Sequence, residues 1–320
     1  LAFVVVVVGA YVRLMDAGLG CPDWPGCYGA ITPLHASEEI AKAVAQQGGT
    51  HGPVSLPKAW KEMVHRYLAG TLGLAILGLA VWSWRSQSDP QRSRFLASSL
   101  VVLVILQAAL GMWTVTMLLK PVIVTLHLLG GMATLALLTW LALRGSDTAG
   151  GRSFSVRPGM HWPSAVGLLI LIAQIALGGW VSTNYAALAC VDFPQCHGQW
   201  VPQGMDFRHG FQLVRELGMT AAGTHLAYEA LTAIHWTHRV GALVTFVFLG
   251  LLGLALARKR GMTGLGGLLL VLLCGQVALG ITNILAGLPL LVAVGHNALA
   301  ALLLVTLVVI NFRLFHKVSA

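Results

Sequence analysis

The segment Glu62-Met63-Val64-His65-Arg66 stands at the start of an apolar run that continues to Trp84. Glu62 and His65 are three residues apart, so on a helix they share one face, with Arg66 beside them. Ionisable side chains at membrane depth cost about 2.5–3.5 kcal/mol each on insertion scales, so they rarely lie there without a partner or a function. The segment therefore predicts either an interfacial cluster that reaches the headgroups or part of a functional site.

The composition around this segment is that of a membrane protein. Hydrophobic residues make up 57% of the 320 residues and charged residues 10%, which excludes an ordinary soluble domain. The chain has 20 Lys and Arg against 11 Asp and Glu, but the cations lie between apolar runs, where they set topology. The excess positive charge therefore predicts contact with membrane lipid and not with nucleic acid.

Eight apolar runs predict an all-α polytopic membrane protein with eight transmembrane helices. The first, Leu1 to about Met15, is shorter than the roughly 20 residues that a spanning helix needs, so we interpret it as a truncated span with N-terminal sequence missing. The loops after the second, fourth and sixth runs carry Lys and Arg, which favours the cytoplasmic side. Both termini are then cytoplasmic, and the long loops 16–61 and 186–231 are extracytoplasmic. The remaining runs cover residues 62–84, 95–119, 122–143, 162–185, 232–257, 265–286 and about 290–312.

The chain also repeats itself, mostly at an offset of 169 residues. Cys21-Pro-Asp-Trp-Pro-Gly-Cys-Tyr-Gly29 matches Cys190-Val-Asp-Phe-Pro-Gln-Cys-His-Gly198. Two four-helix bundles in tandem are therefore predicted, residues 1–145 and 161–320, joined by a cytoplasmic linker at 146–160. The motif Gln-x-Ala-Leu-Gly recurs in the third, fifth and seventh runs and suits close helix packing. Its copies are Gln107–Gly111, Gln174–Gly178 and Gln276–Gly280.

Each even-numbered run carries a histidine within about two turns of its outer end. Two histidines per unit, at matching depth on two helices, fit the axial ligation of one haem inside a four-helix bundle. A lone membrane histidine would more often bond a neighbouring helix, and zinc is disfavoured because no third or fourth ligand recurs beside each pair. His235 could compete with His238, which we favour because the His-Arg pair occurs in both units. The four predicted ligands are His65, His127, His238 and His296.

Glu62 and His235 occupy corresponding places and distinguish the two units. A carboxylate beside iron could relay protons or stabilise positive charge at a reacting carbon, so the first unit is the better candidate for chemistry. The second unit would hold a haem that transfers electrons or is structural. Arg66 and Arg239 are placed to pair with haem propionates, or else to anchor at the membrane interface.

Four of the five cysteines form two pairs in the long loops, Cys21 with Cys27 and Cys190 with Cys196. An oxidising compartment favours a disulfide within each pair. A structural clip and redox exchange with a thiol partner or the haem both remain open.

Together these motifs resemble the haem A synthase family, over essentially the whole chain. The resemblance implies oxidation of the C8 methyl of haem O to a formyl group, by successive hydroxylations and loss of water, for cytochrome oxidase assembly. It also implies that His65 and His127 ligate the substrate haem O, that Glu62 is catalytic, and that His238 and His296 hold a haem b cofactor.

The expected setting is a bacterial cytoplasmic (inner) membrane. Haem O synthase and an electron donor, a quinol or a ferredoxin-like protein, are the expected partners, and a homo-oligomer is possible. Two other classes fit the same histidines: a di-haem b-type membrane cytochrome that transfers electrons from quinol, and a haem carrier without chemistry. The Glu62/His235 difference favours the enzyme, since a pure electron conduit has less use for a carboxylate at one iron only. A thiol oxidoreductase would leave four membrane histidines unexplained.

Overall fold

A computed structural model describes residues 1–49, 51–85, 90–147 and 159–315 of the chain. Over these ranges the chain is helical, with two isolated β-bridges and no strand. The helices are α1 (Ala2–Leu14), α2 (Ser37–Gln46), α3 (Leu56–Arg85), α4 (Pro90–Thr116), α5 (Pro121–Asp147), α6 (His161–Thr183), α7 (Phe207–Gly210), α8 (Tyr228–Ala257), α9 (Thr263–Leu285) and α10 (Leu290–Phe315).

Seven helices within the described ranges are long and apolar enough to cross a membrane, namely α3, α4, α5, α6, α8, α9 and α10. At 1.5 Å of rise per residue, the 13 residues of α1 extend over only about 20 Å, less than a bilayer core. The prediction of an all-α, multi-pass membrane protein is confirmed. The eighth span and the tandem bundles stay predictions.

The short turns between neighbouring spans explain where the helices begin. Leu119 and Leu288, with φ of 59° and 63°, end the turns that precede α5 and α10. Each is followed closely by a proline, Pro121 or Pro289. Proline has its φ already set for a helix and lacks an N–H that the first turn would leave unpaired. The two turns therefore reverse the chain in the same way.

Contacts divide the chain into two compact units, the first covering Leu1–Gly131 and Leu213–Thr224, the second Met132–Gln212 and His225–Ala320. Their boundary falls inside α5, whereas the sequence placed it at a linker over 146–160. Residues 148–158 of that linker lie outside the described ranges. The division into homologous halves at 145 and 161 stays a prediction.

In the first unit, α3 packs against α1 and α4. Gly131 of α5 faces Val6 of α1, so α5 also approaches α1. The amphipathic helix α2 places Ile40 in a buried cluster with Met63 of α3 and the cysteines Cys21 and Cys27. This apolar cluster holds the start of α3 against the loop that precedes it.

In the second unit, α6, α8, α9 and α10 form a ring in which each helix packs against two of the others. Leu249, Leu269 and Leu307 are fully buried at these contacts. The buried Asn311 donates from its amide to the carbonyl of Ser164 at 3.2 Å, which ties α10 to α6. The ring brings the histidines of α8 and α10 to one bundle.

Candidate functional site

The four predicted histidines come together as two pairs, one within each unit. His65 on α3 and His127 on α5 are close enough for their charges to interact, and His238 on α8 and His296 on α10 are related in the same way. All four are only partly covered by protein. Each unit thus brings two imidazoles from two helices near each other.

Every one of these rings lies against a glycine of an adjacent helix. A Cβ added to that glycine would come within 2.9 to 3.3 Å of the ring atom Cε1, so a larger residue there would have to displace the ring. Three of the four glycines end the Gln-x-Ala-Leu-Gly motif, which was interpreted from sequence as a helix-packing feature and here also provides a seat for an imidazole. The contacts are Gly9–His65, Gly111–His127, Gly178–His238 and Gly280–His296.

Glutamines one turn from the seating glycines were missed as site residues. The amide nitrogen of Gln174 lies 3.0 Å from Nδ1 of His238. Nδ1 of His296 lies 3.1 Å from the backbone carbonyl of Gln276, whose side-chain amide is 3.2 Å from Nε2. These contacts hold both rings in place. Because an amide nitrogen only donates, Nδ1 of His238 and Nε2 of His296 are the acceptors in them. The signal was present in the sequence, because the motif begins with Gln as regularly as it ends with Gly.

Two nine-residue segments, the first disulfide loop (Cys21–Gly29) and the second disulfide loop (Cys190–Gly198), lie beside the pairs. Their S–S distances are 2.07 and 2.00 Å. In the first loop, the carboxylate of Asp23 accepts hydrogen bonds from the backbone N–H groups of Tyr28 and Gly29 at 2.6 and 2.8 Å. Asp192 does the same in the second loop, at 2.8 Å to both His197 and Gly198. The repeated motif Cys-x-Asp-x-Pro-x-Cys-x-Gly thus specifies one loop structure.

Glu62 connects α3 to the first disulfide loop. Its side chain is buried, with 4% of the residue exposed. Oε2 accepts a hydrogen bond from the backbone N–H of Cys21 at 2.9 Å, and Oε1 forms an ion pair with Arg66. Arg66 also donates to the backbone carbonyls of Asp23, at 2.8 Å, and Gly26. We call this arrangement the carboxylate clasp.

His235 occupies the corresponding place in the second unit. It is 3% exposed, its Nδ1 accepts from the N–H of Cys190 at 3.2 Å, and its Nε2 lies 3.3 Å from Nε of Arg239. Arg239 donates to the carbonyls of Gln195 and Cys190 at 2.7 Å each. Both ring nitrogens of His235 are engaged in this clasp, so His235 connects its helix to the disulfide loop as Glu62 does in the first unit. The choice of His238 as the ligand stays a prediction.

The two clasps differ in how well the central side chain satisfies its donors. A carboxylate offers lone pairs to both the cysteine N–H and the guanidinium, whereas a neutral imidazole has one acceptor nitrogen.

Arg66 and Arg239 both donate to the disulfide loops. The prediction that they pair with haem propionates, which was made from their positions in the sequence, stays a prediction. The described residues contain no group of three or more His, Cys, Asp or Glu that could hold a bare metal ion.

Comparison with known proteins gives consistent matches. A model of the COX15-CtaA family, described as cytochrome oxidase assembly protein, matches residues 1–308. A protein of Shewanella oneidensis named heme A synthase is 43% identical over 316 residues, 99% of this chain and 94% of that protein. Heme A synthases of Sphingopyxis alaskensis and Halalkalibacterium halodurans are 30% and 28% identical, each over 95% of this chain and over 86% and 90% of their own lengths.

Proposed function

Because the chain belongs to the COX15-CtaA family of cytochrome oxidase assembly proteins, we propose that it is a haem A synthase. It oxidises the C8 methyl of haem O to the formyl group of haem A. The observation that carries this proposal is the pairing of imidazoles from two helices within each unit, every ring seated on a glycine.

The residues fit haem better than a bare metal ion. Haem iron takes four ligands from the porphyrin and needs only axial ligands from the protein, and each unit supplies two imidazoles. Nδ1 of His65 is buried without a hydrogen-bond partner among the described residues. An imidazole left unpaired in apolar surroundings is costly, which is consistent with a ring that completes its contacts when haem binds.

Each unit has its own proposed role. His65 and His127 ligate the substrate haem O, with Glu62 as the catalytic carboxylate at the edge of the same unit. His238 and His296 ligate a haem b cofactor, which when bound supplies one-electron chemistry. In this proposal Glu62 acts as a fixed negative charge near the reacting carbon, because the carboxylate clasp holds it in one place.

The proposed topology keeps the sequence-based arrangement. Eight spans form two tandem four-helix bundles in a bacterial cytoplasmic membrane, with both termini in the cytoplasm and both disulfide loops outside. Repeated backbone features support the tandem relation, since Asp16 and Tyr185 have positive φ values of 48° and 54° at the same offset as the disulfide loops. Haem O synthase and a quinol or ferredoxin-like electron donor are the proposed partners.

The test is pigment analysis of protein co-expressed with a source of haem O. Wild type and Glu62→Ala are purified, and the extracted haems are identified by pyridine-haemochrome spectra and chromatography. Wild type is expected to yield haem A, while Glu62→Ala retains haem but accumulates haem O or a hydroxylated intermediate. If both proteins held only haem b and made no haem A, the di-haem electron-transfer protein would be the better account.

A further inference from the structure

A lysine lies one helical turn from the first predicted iron ligand. Lys61 precedes His65 by four residues, so the two side chains share one face of α3. The ammonium of Lys61 lies over the ring of Tyr11 on α1, 5.8 Å from its centroid. Gly9, two residues before Tyr11, is the seat of the His65 ring. The cation therefore lies at the same pair of helices that holds the imidazole.

The second unit fills the corresponding place with apolar packing. Trp180 stands where the repeat has Tyr11, and it is 5% exposed. Ile234 stands in the place of Lys61, four residues before its own histidine, and is 1% exposed. The indole N–H of Trp180 donates to the carbonyl of Gly210 in α7 at 2.9 Å. A Cβ on Gly210 would lie 3.4 Å from Cγ1 of Ile234, so α7 covers both side chains and satisfies the one donor.

In the first unit the two donors at this place stay open. Lys61 and Tyr11 are both partly exposed. Among the described residues, the ammonium of Lys61 has no ion pair and the hydroxyl of Tyr11 has no hydrogen-bond partner. Arg66, the cation next to His65 in the chain, is engaged with Glu62 and with carbonyls of the first disulfide loop. An ammonium beside a phenolic hydroxyl offers the charge and the donors that a carboxylate accepts.

We propose that Lys61 and Tyr11 bind a propionate of the haem in the first unit. Haem carries two propionates, and one that reaches this place accepts from both the ammonium and the hydroxyl. The contact belongs to the first unit alone, because Trp180 and α7 fill the same place in the second. The inference rests on the proposed function, in which the first unit binds haem O through His65 and His127. Lys61 and Tyr11 recognise the carboxylates of that substrate and take no part in its oxidation.

Haem titration tests the proposal without catalysis. The full chain carrying His238→Ala is produced in haem-deficient cells and titrated with ferric protohaem or with its dimethyl ester, whose propionates carry no charge. Soret absorbance then gives the two dissociation constants of the first unit. The chain should prefer the free acid to the ester. Lys61→Met should reduce this preference about fivefold, the upper end for a partly exposed ion pair. Tyr11→Phe keeps the ring under the cation and removes the hydroxyl, so it should reduce the preference by a smaller factor.

Matched lysine variants serve as controls. Lys61→Arg keeps the cation and should keep the preference for the free acid. Lys58→Met removes a charge from the same helix, but the Lys58 ammonium donates to the carbonyl of Gly52 at 3.1 Å, so the preference should stay unchanged. An equal loss in Lys58→Met would overturn the proposal. So would an equal change of both dissociation constants in Lys61→Met, which is the result expected if Lys61 held a lipid phosphate instead.

Pigment analysis of wild type separates this inference from the proposed function. If wild type makes no haem A but Lys61→Met loses the preference for the free acid, the enzyme assignment fails and the role of Lys61 stands. If wild type makes haem A and Lys61→Met keeps the full preference, the enzyme assignment stands and this inference fails.

Discussion

Removal of the Glu62 carboxylate should release the first disulfide loop from α3. The side chains of Glu62 and Arg66 are 5% and 12% exposed, so solvent screens their attraction little. Breaking a buried ion pair by deleting one partner costs about 3–5 kcal/mol. Arg66 keeps its carbonyl partners in the loop, which argues for the lower end, about 3 kcal/mol. The backbone N–H of Cys21 loses its acceptor at the same time.

The expected change can be measured by hydrogen exchange of the loop. If local opening of residues 21–29 breaks the carboxylate clasp, a loss of about 3 kcal/mol raises the open population roughly a hundredfold. Mass spectrometry of peptides from Glu62→Ala should therefore show about hundredfold faster exchange there. Glu62→Gln keeps an oxygen that can accept from the Cys21 N–H but has no charge for Arg66, so its effect should be intermediate.

Two comparisons make the result decisive. The second disulfide loop, residues 190–198, serves as an internal reference, because its own clasp is untouched by the substitution. Glu39→Ala removes an ion pair with Lys42 whose side chains are 54% and 64% exposed, and such surface pairs contribute little. The reasoning would be refuted if the first disulfide loop of Glu62→Ala exchanged hydrogen at the wild-type rate. It would also be refuted if Glu39→Ala accelerated that exchange as much as Glu62→Ala does.

Three other outcomes are expected from the same geometry. Gly178→Ala places a methyl 3.1 Å from Cε1 of His238 and should lower the haem content of the purified protein, measured as pyridine haemochrome. The control Gly267→Ala adds its methyl in open space and should leave the haem content unchanged. His235→Glu gives an acceptor to both donors of the second clasp, the Cys190 N–H and the Arg239 guanidinium. Hydrogen exchange of the second disulfide loop should then slow by about tenfold, which corresponds to roughly 1.4 kcal/mol in the free energy of local opening. The carboxylate of Asp206 accepts hydrogen bonds from the backbone N–H of His209 and from its ring. These bonds, the backbone bond first, hold the pKa of Asp206 below its usual range. This stabilisation is therefore present above about pH 4 and lost as the pH falls through the lowered pKa; a carboxyl NMR titration of Asp206 should show that low midpoint.

Much of the site was predictable because duplication turns single residues into patterns. The offset between the two halves singled out His127 and His296, and the structure places each with its expected partner helix. The hydrophobic runs predicted the long spans, since their lengths follow from bilayer thickness. The compact units divide inside α5, and this division does not test the predicted tandem halves, because a sequence repeat records ancestry whereas compact units record contacts.

The partners of charged side chains were the least predictable part. Arg66 was expected at a haem propionate or a lipid headgroup, yet in the structure it bonds backbone carbonyls some 40 residues earlier in the chain. Every residue carries a carbonyl, so no sequence pattern marks which one a guanidinium will reach. Glu62 likewise accepts from an N–H that any residue at position 21 except proline would provide.

The unit that carries Glu62 differs from the other unit in its clasp. On α3 a carboxylate stands where α8 has the imidazole of His235, and it accepts from both the Cys21 N–H and Arg66. In the second clasp one imidazole faces two donors, the Cys190 N–H and Arg239, although a neutral ring has one acceptor nitrogen. A unit that only conducted electrons would have less use for a carboxylate at one iron alone. Under the proposed function, the fixed carboxylate three residues from His65 is therefore the reason to assign the oxidation of haem O to the first unit.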